Sequence, residues 1–398
     1  MLRTKSLLCL LLSLALTLLT GCSGTGGVYS NYRDIEELLL VETMGLDFDE
    51  DGVTLSVSSG NSPANPSSSV ISCRAASISA AMEQIQNYTA KEEFFYGHTR
   101  YVILGETTAE NALETIMDFI ERSPEMRMDT ALFVLKDAKA SDLMTKATNS
   151  QYELTKLLSS MERELDIIGN GRVFTCAEIA QSLATSGSAL VSAISMEQTK
   201  DTVFSTDNTT IALPDGYAFL KDGTLRGFLD TDLAVGVNIL QNHLGRTTLN
   251  LTDPNGKPVT VQLSTAEPTI SPVWTKDGVL EAISVSLDAT AAVIELAAED
   301  HLYDEAFLKK LDKELARILE ARICNVLLAS RTFGADFLEL GKTIRMQDPV
   351  RFDSMQTPWR ELLPKLSFRL SVKAKLDRTY SITDPANTKG GGVSNAET

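Results

Sequence analysis

The sequence predicts an α+β protein, with an N-terminal α/β lobe that contains a β-α-β unit and a C-terminal antiparallel sheet packed on a long helix. Three observations carry this. Two short apolar runs, 101–104 and 131–135, flank a segment with Leu113, Ile116 and Ile120 on one helical face. Strand, helix and strand at that spacing give parallel strands joined by a right-handed crossover. From Leu302 to Leu328 a long amphipathic helix carries Phe307, Leu311, Leu315, Ile318, Arg322 and Val326 on or near one stripe. Finally, Leu366, Phe368, Leu370, Val372, Ala374 and Leu376 alternate strictly with polar residues, which is the period of a half-buried strand.

The chain opens with Arg3 and Lys5, then the apolar run Leu7 to Leu19, which closes in Leu19-Thr20-Gly21-Cys22. A basic start, a short apolar core and small residues before a break are the parts of a secretory signal. The core holds 13 residues, whereas a membrane span needs roughly 20. The Leu-Thr-Gly-Cys ending reads as a lipobox, so Cys22 is expected to be the first mature residue, bearing a diacylglyceryl thioether and an N-acyl chain such as palmitate. At about 0.8 kcal/mol per buried methylene, one fatty chain holds a protein marginally and two hold it stably. Residues 1–21 are thus read as a removed signal peptide and 22–33 as a flexible Ser/Gly-rich tether.

Residues 34–205 are assigned to the N-terminal α/β domain, with a division near 147 as an alternative. It starts with a hairpin, in which an apolar stretch at 38–47 turns at Asp49-Glu50-Asp51-Gly52 into the alternating Val53, Leu55 and Val57. A helix at 78–88 follows, and then the strand at 101–104. Thr107-Thr108-Ala109-Glu110 has the form of a capping box. Helices near 151–165 and 177–183 and a strand near 189–194 complete the lobe. Residues 206–384 are assigned to the C-terminal domain, with short strands at 211–213, 217–220, 225–229, 249–251 and 259–263, each bounded by turn residues. Residues 385–398, with three successive glycines just ahead of Val393, read as a disordered tail.

Composition narrows the function. The chain carries 36 basic and 53 acidic residues, a formal charge of −17, and loss of Arg3 and Lys5 with the signal makes it −19. Such a surface repels phosphates, which argues against nucleic acid and against a second electrostatic contact with anionic lipid. Cys9 leaves with the signal and Cys22 takes lipid, so Cys73, Cys176 and Cys324 remain. Three distant cysteines build neither a disulfide framework nor a zinc site, and buried free thiols are expected. Asp47-Phe48-Asp49-Glu50-Asp51-Gly52 opens like a calcium loop, but its twelfth position is Ser58, which lacks the bidentate carboxylate. A solvated hairpin turn explains the same residues. His98, His243 and His301 are scattered, and His98 is read as a structural histidine bonding a neighbouring loop. Gly97, Gly105 and Gly227 fit no phosphate-binding pattern. No catalytic, cofactor-binding or metal-binding residue is assigned.

The stretch Phe94-Phe95-Tyr96-Gly97-His98-Thr99-Arg100-Tyr101-Val102-Ile103-Leu104-Gly105-Glu106, with Ala109, Leu113, Asp118, Phe119, Arg122, Glu125 and Arg127, resembles the N-terminal signature of the C-subunit lipoproteins of spore germination receptors. Asp336-Phe337-Leu338-Glu339-Leu340-Gly341, followed by Pro349, Trp359 and the 366–376 strand, is similar to their C-terminal domain. The lipobox and the segment 32–37 extend the similarity over nearly the whole chain. One departure is that Tyr32 stands, about ten residues late, where the family has a Trp-Asp pair directly after its cysteine. The resemblance implies a non-enzymatic subunit of a germinant receptor, lipid-anchored on the outer face of the spore inner membrane. Its implied partners are the receptor's A and B membrane subunits, and the complex would sense small nutrients such as amino acids or sugars.

Two rival readings stand beside it. A solute-binding lipoprotein of a transporter closes two similar α/β lobes on its ligand, whereas one α/β lobe here precedes an unlike one. A lipid-anchored cell-envelope hydrolase needs a convergent nucleophile, acid and base, which no motif displays.

Overall fold

A computed structural model describes residues 38–59, 70–88, 93–148, 154–199, 209–296 and 305–377. The first sheet is built from β1 (Leu38–Asp49), β2 (Gly52–Ser59), β3 (Val70–Ala75), β4 (Glu93–Phe95), β5 (Tyr101–Gly105), β6 (Ala131–Leu135), β7 (Phe174–Thr175), β8 (Ser188–Thr199), β9 (Thr209–Lys221) and β10 (Thr224–Leu229). Its order is β10-β9-β8-β6-β5-β1-β2-β3, with β4 paired to β1 and β7 to β6. The helices of this half are α1 (Ile78–Gln86), α2 (Glu106–Asn111), α3 (Leu113–Arg122), α4 (Ala140–Thr148), α5 (Leu154–Ile168) and α6 (Cys176–Ser186).

The expected crossover forms: β5 and β6 run parallel in the register Tyr101↔Ala131 to Gly105↔Leu135. All ten of their residues are buried, the mark of strands covered on both faces. Alternate side chains serve two cores. Tyr101, Ile103, Phe133 and Leu135 meet α4 and α5 through Leu143, Met144, Leu158 and Met161. Val102, Leu104, Leu132 and Val134 belong to a second cluster that is continuous with the core of the other sheet.

That other sheet has the order β11-β12-β13-β14, from β11 (Thr248–Thr252), β12 (Pro258–Trp274), β13 (Leu280–Glu295) and β14 (Ser367–Asp377). The α+β class holds, with two corrections. The strands expected at 211–213, 217–220 and 225–229 pair with the first sheet rather than the second. Residues 209–221 make one strand antiparallel to β8, with a register shift between Ser192 and Ile194 that accommodates Asp215-Gly216. Gly216 has φ +70°, so the local sequence imitates a turn between strands while the chain only bulges. Apolar residues of β8 such as Leu190, Val191 and Ile194 demand a covered neighbour, and Tyr217 to Leu220 supply it fully buried. The second correction concerns direction: β14 pairs parallel to β13, from Ala282↔Ser367 to Ala292↔Asp377. A two-residue alternation reports faces and not polarity, and the long helical connection between the two strands returns the chain to the starting end of β13.

That connection is α8 (Glu305–Phe333) followed by α9 (Leu340–Gln347), α10 (Pro349–Asp353) and α11 (Trp359–Leu362). The buried face of α8 is Leu308, Leu311, Leu315, Leu319, Ile323, Val326, Leu327 and Ser330. It is rotated from the stripe read in the sequence, so that Phe307 and Ile318 only flank the core and Arg322 reaches out to Asp232 Oδ1 (2.6 Å). Cys324 lies on the side of α8 away from the core and is exposed, contrary to the expected buried thiol, whereas Cys73 and Cys176 are buried. Between the sheets lies α7 (Thr231–Leu240), apolar on all sides and buried from Ala234 to Leu240, a helix that reads locally like a strand. Its start is capped by Asp230, whose Oδ1 accepts the Leu233 N–H (2.9 Å). The capping box expected at Thr107–Glu110 does not form. The Thr108 hydroxyl accepts the Phe48 N–H instead (2.8 Å), and the true box is Thr175 with Glu178.

Because a buried leucine loses transfer energy and leaves a cavity, Leu319→Ala should cost about 2–5 kcal/mol in urea unfolding. Ile318→Ala, one residue away, should cost less than half as much; a larger loss at Ile318 than at Leu319 would mean that the helix sits in the orientation of the sequence stripe.

Candidate functional site

Where α8 ends, Gly334 takes φ +57° and turns the chain into Asp336, which is 2% exposed. The Leu340 N–H donates to Asp336 Oδ1 (2.7 Å), and the Gly341 N–H (2.9 Å) and Trp359 Nε1–H (2.8 Å) donate to Oδ2. The backbone N–H of Asp336 donates to Ser188 Oγ (3.0 Å). One carboxylate therefore caps the first turn of α9, fixes α11 through the indole and ties both to β8 of the first sheet. Burial pushes its pKa up, against the pull of the three N–H donors. Gly341 is required here, since an added Cβ would lie 2.7 Å from the Trp359 indole nitrogen. Glu339, just before α9, is held at φ +54°.

Beside this turn a cleft of about 790 Å³ separates α6 and β8 from α7, β12 and α9. Its walls are mostly polar, and several of their groups pair with one another. Arg172 pairs with Glu178. Ser182 Oγ donates to Glu339 Oε1 (3.2 Å), and Lys342 Nζ meets Glu339 Oε2 (2.7 Å). Gln241 Nε2 donates to the Phe337 carbonyl (3.2 Å). The Ser182 hydroxyl donates to a carboxylate that Lys342 also pairs, and the residues lining the cleft include no histidine. Among the described residues no group of three or more His, Cys, Asp or Glu is placed to hold a metal ion.

Asp336, Gly341 and Trp359 of the C-terminal signature meet here, whereas the residues weighed in the sequence for lipid, metal or acid–base chemistry are not brought together. Cys22 and His301 lie outside the described residues. Asp47 is 7% exposed and caps α4, its two oxygens accepting the Ala140 and Ser141 N–H groups (2.8 Å each), while Asp49 pairs with Arg74. The loop of carboxylates is thus spent on a helix cap and a hairpin ion pair. His98 lies exposed on a single 3₁₀ turn (Tyr96–His98). His243 Nε2 lies 2.7 Å from Asp166 Oδ1 and joins the end of α7 to α5. In the 94–106 stretch the chemistry is structural. Tyr101 donates its hydroxyl to Glu162 (2.8 Å), and burial together with that carboxylate pushes the phenol up to about 12. Gly105 leaves room for Asp47 Oδ1.

The sequence did not reveal two polar anchors as such. One is the pair of Asp336 and Trp359, quoted in the family signature without a structural role. The other is Asn238, 2% exposed, whose Oδ1 accepts from Tyr217 Oη (2.5 Å) while Nδ2 donates to the Gly169 (2.9 Å) and Gly171 (3.3 Å) carbonyls. The signal for Asn238 was present as a lone amide within the apolar run 233–240.

Fold and site together define an α+β protein of two unlike sheets on one continuous core, with a polar cleft closed at one side by a carboxylate-pinned turn. The chain belongs to the GerAC-like family of spore germination proteins, the germinant receptor C subunits. Residues 31–196 match the spore germination protein N-terminal domain, and residues 215–380 match the C-terminal domain described as spore germination B3/GerAC like. The chain is 24% identical to spore germination protein KC of Bacillus subtilis (strain 168) over 415 aligned positions, covering 96% of this chain and 97% of that one. It is 30% identical over 145 residues to the putative spore germination protein YfkR of the same organism, 36% of each chain. The crystal structure of the GerBC protein shares the fold with a TM-score of 0.54 at 16% identity, over 84% of this chain and 96% of that one.

Replacing Asp336 with Asn leaves three N–H donors facing an amide, which should cost about 1–3 kcal/mol in denaturant unfolding. Asp336→Asn and Trp359→Phe should be non-additive by about 0.5–3 kcal/mol in a double-mutant cycle. Strict additivity would show that the indole N–H does not depend on this carboxylate.

Proposed function

We propose that this chain is a lipid-anchored, non-enzymatic C subunit of a spore germinant receptor, needed for assembly of the nutrient-sensing complex or for its signal. The observation that carries the reading is that both family domains match in order, while alignment to a spore germination protein covers 96% of the chain. Among the described residues no helix is long and apolar enough to cross a membrane. In this reading attachment comes from Cys22, acylated twice, and holds the body on the outer face of the spore inner membrane beside the A and B membrane subunits. Tethering raises the effective concentration of such neighbours without any new contact.

The solute-binding alternative is less well supported. Lobes that close on a ligand need a hinge, and here a single hydrophobic core runs from the first sheet into the second.

Deleting the gene should abolish or strongly slow nutrient-triggered germination, scored as release of small molecules from spores, and the wild-type gene should restore it. Germination equal to wild type with every nutrient would reject the reading. Cys22→Ala should move the protein from the membrane to the soluble fraction, and intact mass of the mature amino-terminal fragment should lose the acyl additions. Retention on membranes would show that another contact holds it.

A further inference from the structure

The outer strand of the second sheet, β14, has an edge that is treated differently from the neighbouring one. Beyond the end of β11, β12 is also an edge, and it is blocked. The Ile270 carbonyl points away from β13 and is taken by Gln347 Nε2 (2.6 Å). Pro268 and Pro272 share its parity in the register with β13 and so have no N–H to offer there. By contrast, 367–377 contains no proline, and β14 is the last strand of the sheet. Among the described residues, the side-chain bond to the β14 backbone is the Leu376 N–H donated to Asp312 (2.8 Å), at the far end.

The side chains of β14 say what would fit. On one face Arg369, Lys373 and Lys375 are exposed with Ser367 and Ser371 between and before them, a row of cations on a chain with a net charge of −17. Arg369 reaches Glu281 (3.2 Å), whereas Lys373 and Lys375 have no ion-pair partner among the described residues. On the other face Phe368, Leu370, Val372 and Ala374 pack on the core yet stay half-exposed. Lysines along an edge keep two copies of it apart by like-charge repulsion. The same lysines attract an acidic strand, so the edge discriminates between partners by charge.

We propose that β14 accepts by strand addition an extended segment of another protein that alternates acidic and apolar residues. The acidic side chains lie beside Lys373 and Lys375, the apolar ones cover Leu370 and Val372, and backbone hydrogen bonds supply the sequence-independent part of the affinity. This interaction does not rest on Cys22 or on the receptor reading.

The test titrates the full-length chain with a labelled, capped ten-residue peptide of alternating Glu and Val. Its Lys and Val counterpart and vesicles containing phosphatidylglycerol serve as competing probes. Expected are binding of the acidic peptide at least tenfold tighter than the basic one, slowed hydrogen exchange of amides 368–375, and at least tenfold weaker binding by Lys373→Glu/Lys375→Glu. Both lysines are exposed, so this variant should keep the wild-type circular dichroism; if it does not fold, the exchange pattern of the wild type decides. The proposal is overturned by equal binding of the two peptides, by slowed exchange elsewhere than β14, by undiminished binding to the charge-reversed chain, or by vesicles binding where neither peptide does.

Discussion

The buried carboxylate of Asp336 is the constraint on which the geometry of the second half depends. Its three N–H partners come from two consecutive residues of α9 and from the indole of α11, and its own N–H is held by Ser188 of the first sheet. A carboxylate taken out of water at 2% exposure is tolerated only while all these donors stay in place, because a desolvated acceptor left unpaired costs more than the bond itself contributes. The consequence is that α9 cannot slide, α11 cannot detach and Gly341 cannot acquire a side chain without the others moving. Glu339 and Lys342, which line the cleft, lie beside α9's capped turn and inherit that rigidity.

A second constraint couples the halves. Strands β5 and β6 send alternate side chains to two faces, and the face opposite α4 and α5 merges with the core beneath α7, α8 and the second sheet. Asn238 works in the same direction, binding β9, α7 and the turn before β7 with one amide. Two sheets of different size and topology therefore behave as one packed body. A single core of this kind leaves no hinge between the two sheets.

Legibility followed the range of the interactions. Tyr101 to Leu135 was readable because a buried parallel strand pair advertises itself as continuous apolar runs around a helix. The order of the family signatures was readable because they are linear motifs. The capping box at Thr107 was misread because the helix already begins at Glu106, with Gly105 as its N-cap, and the neighbouring Thr108 hydroxyl serves Phe48 N–H, 60 positions away. Asp336 and Trp359 both stood in the C-terminal signature, but a linear motif does not say that a tryptophan 23 residues later turns its indole N–H toward the carboxylate. Cys324 was expected to be buried only because an unpaired thiol packs like a small hydrophobe, and its place on the outer side of α8 puts it in solvent instead.

By itself the sequence determined the α+β class, the β-α-β crossover, the long helix, the period-two last strand and the family, all of which are set by local periodicity or by residues close together in the chain. Tertiary structure alone decided which sheet receives 209–229, which way the last strand runs, which face of α8 is inward, and that the Asp336 carboxylate is buried. Alternation specifies the two faces of a strand but neither its neighbour nor its direction. Those are chosen by which pairing buries the most apolar surface while leaving no polar group without a partner, a property of the whole chain at once.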